Sequence, residues 1–232
     1  MLEGLLLVHK PPGLTSHDVV QAVRRKLGVK RIGHTGTLDP MAEGLLILLV
    51  GPATRYQQAF QGHDKAYEAV LRLGTQTDTG DADGRPVRTA PTPALDPARV
   101  AEVLASFEGE LIQTPPAYSA VKVRGRPAYW WARRQQPVTL TARTVRLLQL
   151  KLAGCTPDAV TFRVQCSAGT YIRTLAEAIA ERLGTVGHLS RLVRVQVGEW
   201  RLEDAQPLAW ITEASPDLIT RELRPVIGAA AA

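Results

Sequence analysis

Cysteine is almost missing from this 232-residue chain: Cys155 and Cys166 are the only two, and no CxxC pair occurs. Two thiols supply neither a disulfide framework nor a cysteine zinc site, so both are expected as ordinary buried or half-buried side chains. Long hydrophobic runs are lacking too. The apolar stretch Leu45–Val50 is soon closed by Gly51-Pro52 and Arg55, well short of the roughly 18–20 residues that span a bilayer. The opening MLEGLLLVHKPPG carries Glu3 early, with no basic start and no small-residue cleavage pattern. It does not have the form of a signal peptide, and the expected location is the cytoplasm. Internal repeats and low-complexity tracts are missing as well, apart from the closing Ala229–Ala232.

What is present is apolar enough to fold. A hydrophobic content of 45% supports one substantial core, or a catalytic domain with a small appendage. Twenty-eight Lys and Arg against 22 Asp and Glu leave a net charge of +6. That suits a polyanionic partner, and equally a moderately basic enzyme without one. Arg24, Arg25, Lys26, Lys30 and Arg31 cluster around one predicted helix end, and Lys122, Arg124, Arg126, Arg133 and Arg134 form a second group.

Leu5–Lys10 reads as a short apolar strand stopped by Pro11-Pro12-Gly13. A helix follows, with Ser16 as N-cap, Asp18 in the first turn, Val19, Val20, Val23 and Leu27 on one face, and Gly28 as its stop. Residues 29–40 are expected as loop, Leu45–Val50 as a buried strand and Thr54–Gln61 as a short helix. Lys65–Leu73 alternates Tyr67, Ala69, Leu71 and Leu73 against charged neighbours, the period of a half-buried strand. A polar turn region precedes a linker at Pro91–Pro97, and Val100, Val103, Leu104 and Phe107 mark a helix ended by Gly109. Leu147–Leu152 and Ala159–Cys166 are expected to pair as strands, with an amphipathic helix over Tyr171–Leu183. Strands and helices without regular βαβ alternation point to an α+β fold.

The segment RIGHTGTLDPMAEG, from Arg31 to Gly44, holds a lone carboxylate, Asp39, among glycines and a proline. A metal site built on His34, Asp39 and Glu43 is disfavoured, because Gly36, Pro40 and Gly44 break any helix that would align them and no second histidine lies at i+4. Gly33-x-x-Gly36 lacks the lysine and glycine spacing of a P-loop. Taken locally, Asp39 is as well explained as a turn former beside a rigid proline.

A wider pattern decides between these. KPPGLTSHDVV, RIGHTGTLDPMAEGLLILLVGPATR, KAYEAVLRLGTQTDTGDADG, QTPPAYSAVKVRGRPAY and SAGTYIRTLAEAIAERLG occur in that order. Together they resemble the TruB family of tRNA pseudouridine-55 synthases from Leu5 to about Val197. The resemblance implies a pseudouridine synthase fold, with a mixed, largely antiparallel sheet flanked by helices and loops. It also implies chemistry with no metal and no cofactor: the N-glycosidic bond of a uridine in the tRNA T-loop is broken, the uracil rotates, and it rejoins the ribose through C5.

Asp39 matches the family's catalytic aspartate, Tyr67 the tyrosine expected to stack on the uracil, and Arg173 the arginine that pairs with the catalytic carboxylate. His34 matches the histidine inserted where the target base leaves the stack. Lys10 falls on the lysine of the KPxG loop and Leu192 on an apolar residue lining the uracil pocket. From the residues alone, Tyr67 and Leu192 are equally core side chains, and Arg173 a surface helix arginine.

The resemblance divides the chain into a catalytic domain, 1–198, with an RNA-binding insertion at about 113–145, and a short C-terminal tail, 199–232, without a complete RNA-binding domain of the PUA type. Its implied partner is the T-arm stem-loop of tRNA, with no membrane, no required protein partner and a monomeric state. Rival readings are a guide-RNA-dependent relative and a tRNA-folding chaperone or RNA-binding module acting without turnover.

Overall fold

The computed structural model of the chain describes residues 2–226. The chain forms two compact units, one built from Met1–Ala66 with Val193–Ala232 and the other from Tyr67–Leu192. Two strands, Lys65–Leu73 and Gly187–Val197, carry the chain from one unit into the other.

The first unit is organised around the strand Glu43–Val50, whose side chains are buried from Gly44 onward. A strand covered on both faces reads as an uninterrupted apolar run, which is why LLILLV shows no alternation. It pairs antiparallel with Gly4–Lys10 in a register running from Gly4 opposite Val50 to Lys10 opposite Gly44. Leu5, Leu7, Leu45, Ile47 and Leu49 point to one face, where they pack with Ala53, Phe60 and Val197. Each such side chain contributes about 1.5–3 kcal/mol on burial.

The segment after Glu199, expected as a tail, adds Trp200–Arg201 antiparallel to the end of Gly187–Val197 and Gln206–Pro207 parallel to Gly4–Lys10. Arg224 then bridges to Leu5. Residues 227–232 of that expected tail lie outside the described residues.

In the second unit the strand order is Gly187–Val197, Lys65–Leu73, Ala159–Cys166, Arg143–Thr156 and Gly109–Gln113. The last three pair antiparallel in sequence, with two register shifts between Arg143–Thr156 and Ala159–Cys166. Lys65–Leu73 shows the expected alternation, with positions 65, 67, 69, 71 and 73 buried. Both units together give the expected α+β class with a mixed, largely antiparallel pairing. The two cysteines are free, Cys166 buried and Cys155 half-buried.

Several local expectations are corrected. Thr15, not Ser16, caps the helix Ser16–Leu27: the Thr15 hydroxyl accepts from the Asp18 amide and the Asp18 carboxylate accepts from the Thr15 amide. This reciprocal pairing satisfies two of the donors a helix start leaves open, and it frees Ser16 for another task. Residues 29–40 are not all loop, since Ile32–His34 pairs antiparallel with Leu48–Val50. The helix expected to run to Gly109 spans Pro97–Ala105, and Gly109 opens a strand instead. Gly187–Val197 was not anticipated as a strand at all.

Candidate active site

Asp39 lies in the first unit on the loop joining Ile32–His34 to Glu43–Val50. One edge of Glu43–Val50 pairs with Ile32–His34 at its far end and, in parallel, with Val193 and Arg194 at its near end. The loop fills the space between. Its backbone is tied at nearly every step. The Thr35 amide donates to Ile47 O (3.1 Å), Gln57 Nε2 to His34 O (3.1 Å), the Gly13 amide to Pro40 O (2.8 Å) and the Ala42 amide to Asp39 O (3.1 Å). Leu38, whose side chain is buried, is gripped twice by Ser16: its amide donates to Ser16 Oγ (2.8 Å) and its carbonyl accepts from the same hydroxyl (3.1 Å). Thr37 and Pro40 stay exposed and Asp39 half-buried.

Ser16→Ala removes a partner from two buried backbone groups at once, at a cost of about 1–3 kcal/mol. The variant is expected to melt at least 2 °C lower, since about 1 kcal/mol moves Tm by roughly 2–4 °C in a chain of this size; calorimetry reads this directly.

Lys10 ends the strand Gly4–Lys10 and is fully buried. Its ammonium donates to Pro11 O (2.9 Å), Leu14 O (2.6 Å) and Pro40 O (3.3 Å), so it fastens the proline behind Asp39. Burial pulls its pKa down to about 8; the Asp39 carboxylate opposes that shift and the Arg194 guanidinium adds to it. Two consequences follow with opposite signs. Between about 8 and the ordinary 10.5 the folded chain binds fewer protons than the unfolded one, so this group's contribution to stability rises with pH across that window. Function runs the other way, because a neutral amine has two protons for three carbonyls. Single-turnover rates are therefore expected to fall above about pH 8, a limb that rapid-quench assays from pH 6 to 10 will detect.

His34 is half-buried in the same unit, and its pKa is lowered first by burial, then by Arg194 and His17. Both the burial and the neighbouring cations favour the neutral imidazole.

In the second unit, Tyr67 and Leu192 are both buried, on the neighbouring strands Lys65–Leu73 and Gly187–Val197. Arg173 occupies the first turn of the helix Ile172–Arg182 and is 3% exposed. A cation there opposes the helix dipole, so the position must be compensated. The guanidinium donates to Thr79 O (2.6 Å) and Tyr118 O (2.7 Å), with Nε 3.7 Å from Asp81 Oδ2. Asp81 is itself held, its Oδ1 accepting from Thr79 Oγ1 (2.6 Å) and the Asp83 amide (3.2 Å). Residues read as a plain polar turn thus build the seat for Arg173. Nothing local in TDTGDADG distinguishes Asp81 from Asp78 or Asp83, and sequence reasoning missed it.

Within the expected insertion, Arg134 stacks on Trp130 at 3.7 Å and Arg133 lies 5.4 Å from the Tyr129 ring centre. Trp131 meets Trp130 edge-on and donates to Val123 O (3.0 Å). Trp131 anchors the segment, while Tyr129 stays exposed beside its arginine.

Residues 24–172 match the family described as TruB family pseudouridylate synthase (N terminal domain). The chain belongs to the TruB family. It is 48% identical over 225 residues to a tRNA pseudouridine synthase B of Burkholderia pseudomallei (strain 668), covering 97% of this chain and 74% of that protein. With the tRNA pseudouridine synthase B of Opitutus terrae it shares 44% identity over 229 residues, 99% of this chain and 95% of the other.

Among solved structures, the archaeal box H/ACA sRNP Nop10-Cbf5 complex superposes with a TM-score of 0.73 at 26% identity, over 98% of this chain and 61% of that one. A Cbf5-Nop10-Gar1 complex gives 0.72 at 29%, over 97% and 61%. The TruB chain thus spans about three-fifths of those solved chains. Among its described residues no three His, Cys, Asp or Glu gather as a metal site, and no helix is long and apolar enough to cross a membrane.

Proposed function

We propose that the protein isomerises the uridine at position 55 of the tRNA T-loop to pseudouridine. The observation that carries this reading is the tethered loop that presents Asp39 in a chain of the TruB family. The N1–C1′ bond breaks, the uracil turns, C5 bonds to C1′, C5 gives up its proton and N1 gains one. Atoms balance without oxidant, reductant or water.

Asp39 is the carboxylate that meets the reacting nucleotide, and fixing its loop in advance spares the reaction the cost of ordering it. Tyr67 and Arg173 are the other catalytic residues. Tyr67 offers a ring face to the detached base, a contact worth about 1–3 kcal/mol. His34 and Leu192 complete the substrate site, with His34 entering the stack as the uridine leaves it; Lys10, expected there too, is fully buried on three carbonyls and serves the site through the loop backbone. The basic aromatic segment around Tyr129–Arg134 engages the folded T-arm through phosphates and exposed bases, since A-form major grooves are too narrow for side chains. On this reading the protein acts as a monomer in the cytoplasm and needs no protein partner, metal or cofactor.

The test is tritium release from tRNA labelled at uridine C5. One equivalent is expected per tRNA, and none from a transcript carrying cytidine at position 55. Undiminished release from that transcript would place the target elsewhere, and no release from either would overturn the reading.

A further inference from the structure

Arg194 is among the largest fully buried side chains of the chain, and no role in the chemistry above uses it. Its backbone lies in parallel register with Gly44 at the start of the strand Glu43–Val50. The approach is so close that a Cβ on Gly44, whose φ is +113°, would run into the Arg194 main chain. From there the guanidinium extends along the strand edge. Nε donates to Leu45 O (2.8 Å), continuing the ladder where the sheet pairing stops, and Nη2 and Nη1 reach Gly36 O (3.0 Å) and Thr37 O (3.4 Å).

The loop is therefore gripped by a buried cation on either side of Asp39: Lys10 on the Pro40 carbonyl, and Arg194 on those of Gly36 and Thr37. Two buried cations that repel each other are an expensive way to stabilise a fold, because apolar side chains of similar volume do at least as well. Holding one short loop from both ends is a reason to keep them. A planar fork with five donors spans three carbonyls in fixed directions, which a lysine does not.

Resting on the pseudouridine synthase reading, we propose that Arg194 is a positioning residue that sets the backbone of residues 36–39 and so aims the Asp39 carboxylate. Arg194 also acts at a distance, since its charge lowers the proton affinity of both Lys10 and His34. The proposal makes Arg194 part of the turnover machinery and not of tRNA affinity.

The experiment compares the unaltered protein with Arg194→Lys and Arg194→Met in single-turnover tritium release, tRNA binding, and hydrogen exchange of the loop amides. Arg194→Met is expected to slow turnover about 100-fold and Arg194→Lys about tenfold, the scale on which a misplacement of about 1 Å acts. The tRNA Kd should stay within about threefold in both, since phosphate contacts dominate affinity. Exchange at Thr35 and Leu38 should speed up at least about tenfold, the measure of a locally opened segment, while the helix Ser16–Leu27 is unchanged.

With the Arg194 charge gone, the alkaline limb set by Lys10 should also move upward, a change no general loosening would produce. Unaltered turnover in Arg194→Met, a loss confined to Kd, or unchanged loop exchange would each overturn the proposal. If Arg194→Met does not fold, the charge-conserving Arg194→Lys decides by the same three readouts. Should the unaltered protein release no tritium, the functional reading fails, and loop exchange still decides whether Arg194 holds the loop.

Discussion

Asp39→Asn is expected to abolish tritium release while leaving tRNA affinity within about tenfold, or about 1.4 kcal/mol. The amide has the shape of the carboxylate and lacks only its charge and basicity. The loop that carries it is held through the backbone of its neighbours, by Ser16 at Leu38, Lys10 at Pro40 and Arg194 at Gly36 and Thr37. Those tethers survive the substitution, so the altered side chain still arrives where the carboxylate stood. Most of the binding free energy is expected from phosphate and shape contacts, which one neutralised acid changes little. A fall in affinity beyond about 100-fold would mean that Asp39 shapes the loop and is not chiefly chemical.

A second readout accompanies the first. The Asp39 charge supports the protonated form of Lys10, so removing it lowers the Lys10 pKa further below about 8, and the ammonium titrates earlier. NMR of the Lys10 side chain follows this independently of turnover.

How much of this was legible before the structure depends on how local each cause is. The strands Gly4–Lys10 and Lys65–Leu73 and the helices Ser16–Leu27 and Ile172–Arg182 follow from periodicity and stop signals that lie within a few residues of each other. The cap of Ser16–Leu27 was misassigned by one position because Thr15 and Ser16 are both good capping residues. The choice was made by Leu38, 22 residues further on, which takes the Ser16 hydroxyl. Gly187–Val197 escaped because its alternation breaks at Leu192-Val193-Arg194, all buried in succession where the strand passes from one unit into the other.

A signal for Arg194 did exist. It shares a strand face with Leu192, whereas Arg191 falls on the opposite face and is exposed. An arginine in phase with a buried leucine is a buried cation, and buried cations are kept for a reason. That inference first required recognising the strand. Asp81 gave no such signal, since its selection over Asp78 and Asp83 is made by Arg173 and Leu189, about a hundred positions away. The proposed site residues Asp39, Tyr67 and Arg173 came from family resemblance, not from local chemistry: each had an ordinary structural explanation in its own segment.

Arg173→Met is expected to reduce turnover by about 10³-fold or more, the upper range for removing one preorganised electrostatic group, and to destabilise the protein as well. The two effects have separate origins. The proposed catalytic role rests on the family resemblance, whereas its seat in the second unit consists of Thr79 O, Tyr118 O and Asp81. Taking the cation away leaves two carbonyls and a buried carboxylate without it, and breaking a buried pair from one side costs about 3–5 kcal/mol. Melting should therefore drop by roughly 6–20 °C, still leaving a folded protein to assay at low temperature.

Glu177, one turn along the same helix, already has its pKa raised by burial, with Arg173 among the influences opposing that. Without Arg173 it should hold its proton to higher pH still. Since folded-state proton affinity then exceeds that of the unfolded chain by more, the variant's stability should decline more steeply as pH rises through the carboxylate range. Arg173→Lys separates the two origins: a lysine restores the charge near Asp81 and part of the stability, yet it lacks the planar fork and should recover little turnover. Near-normal rates in Arg173→Met would sink the catalytic assignment, whereas lost stability with retained turnover would reduce Arg173 to a structural arginine.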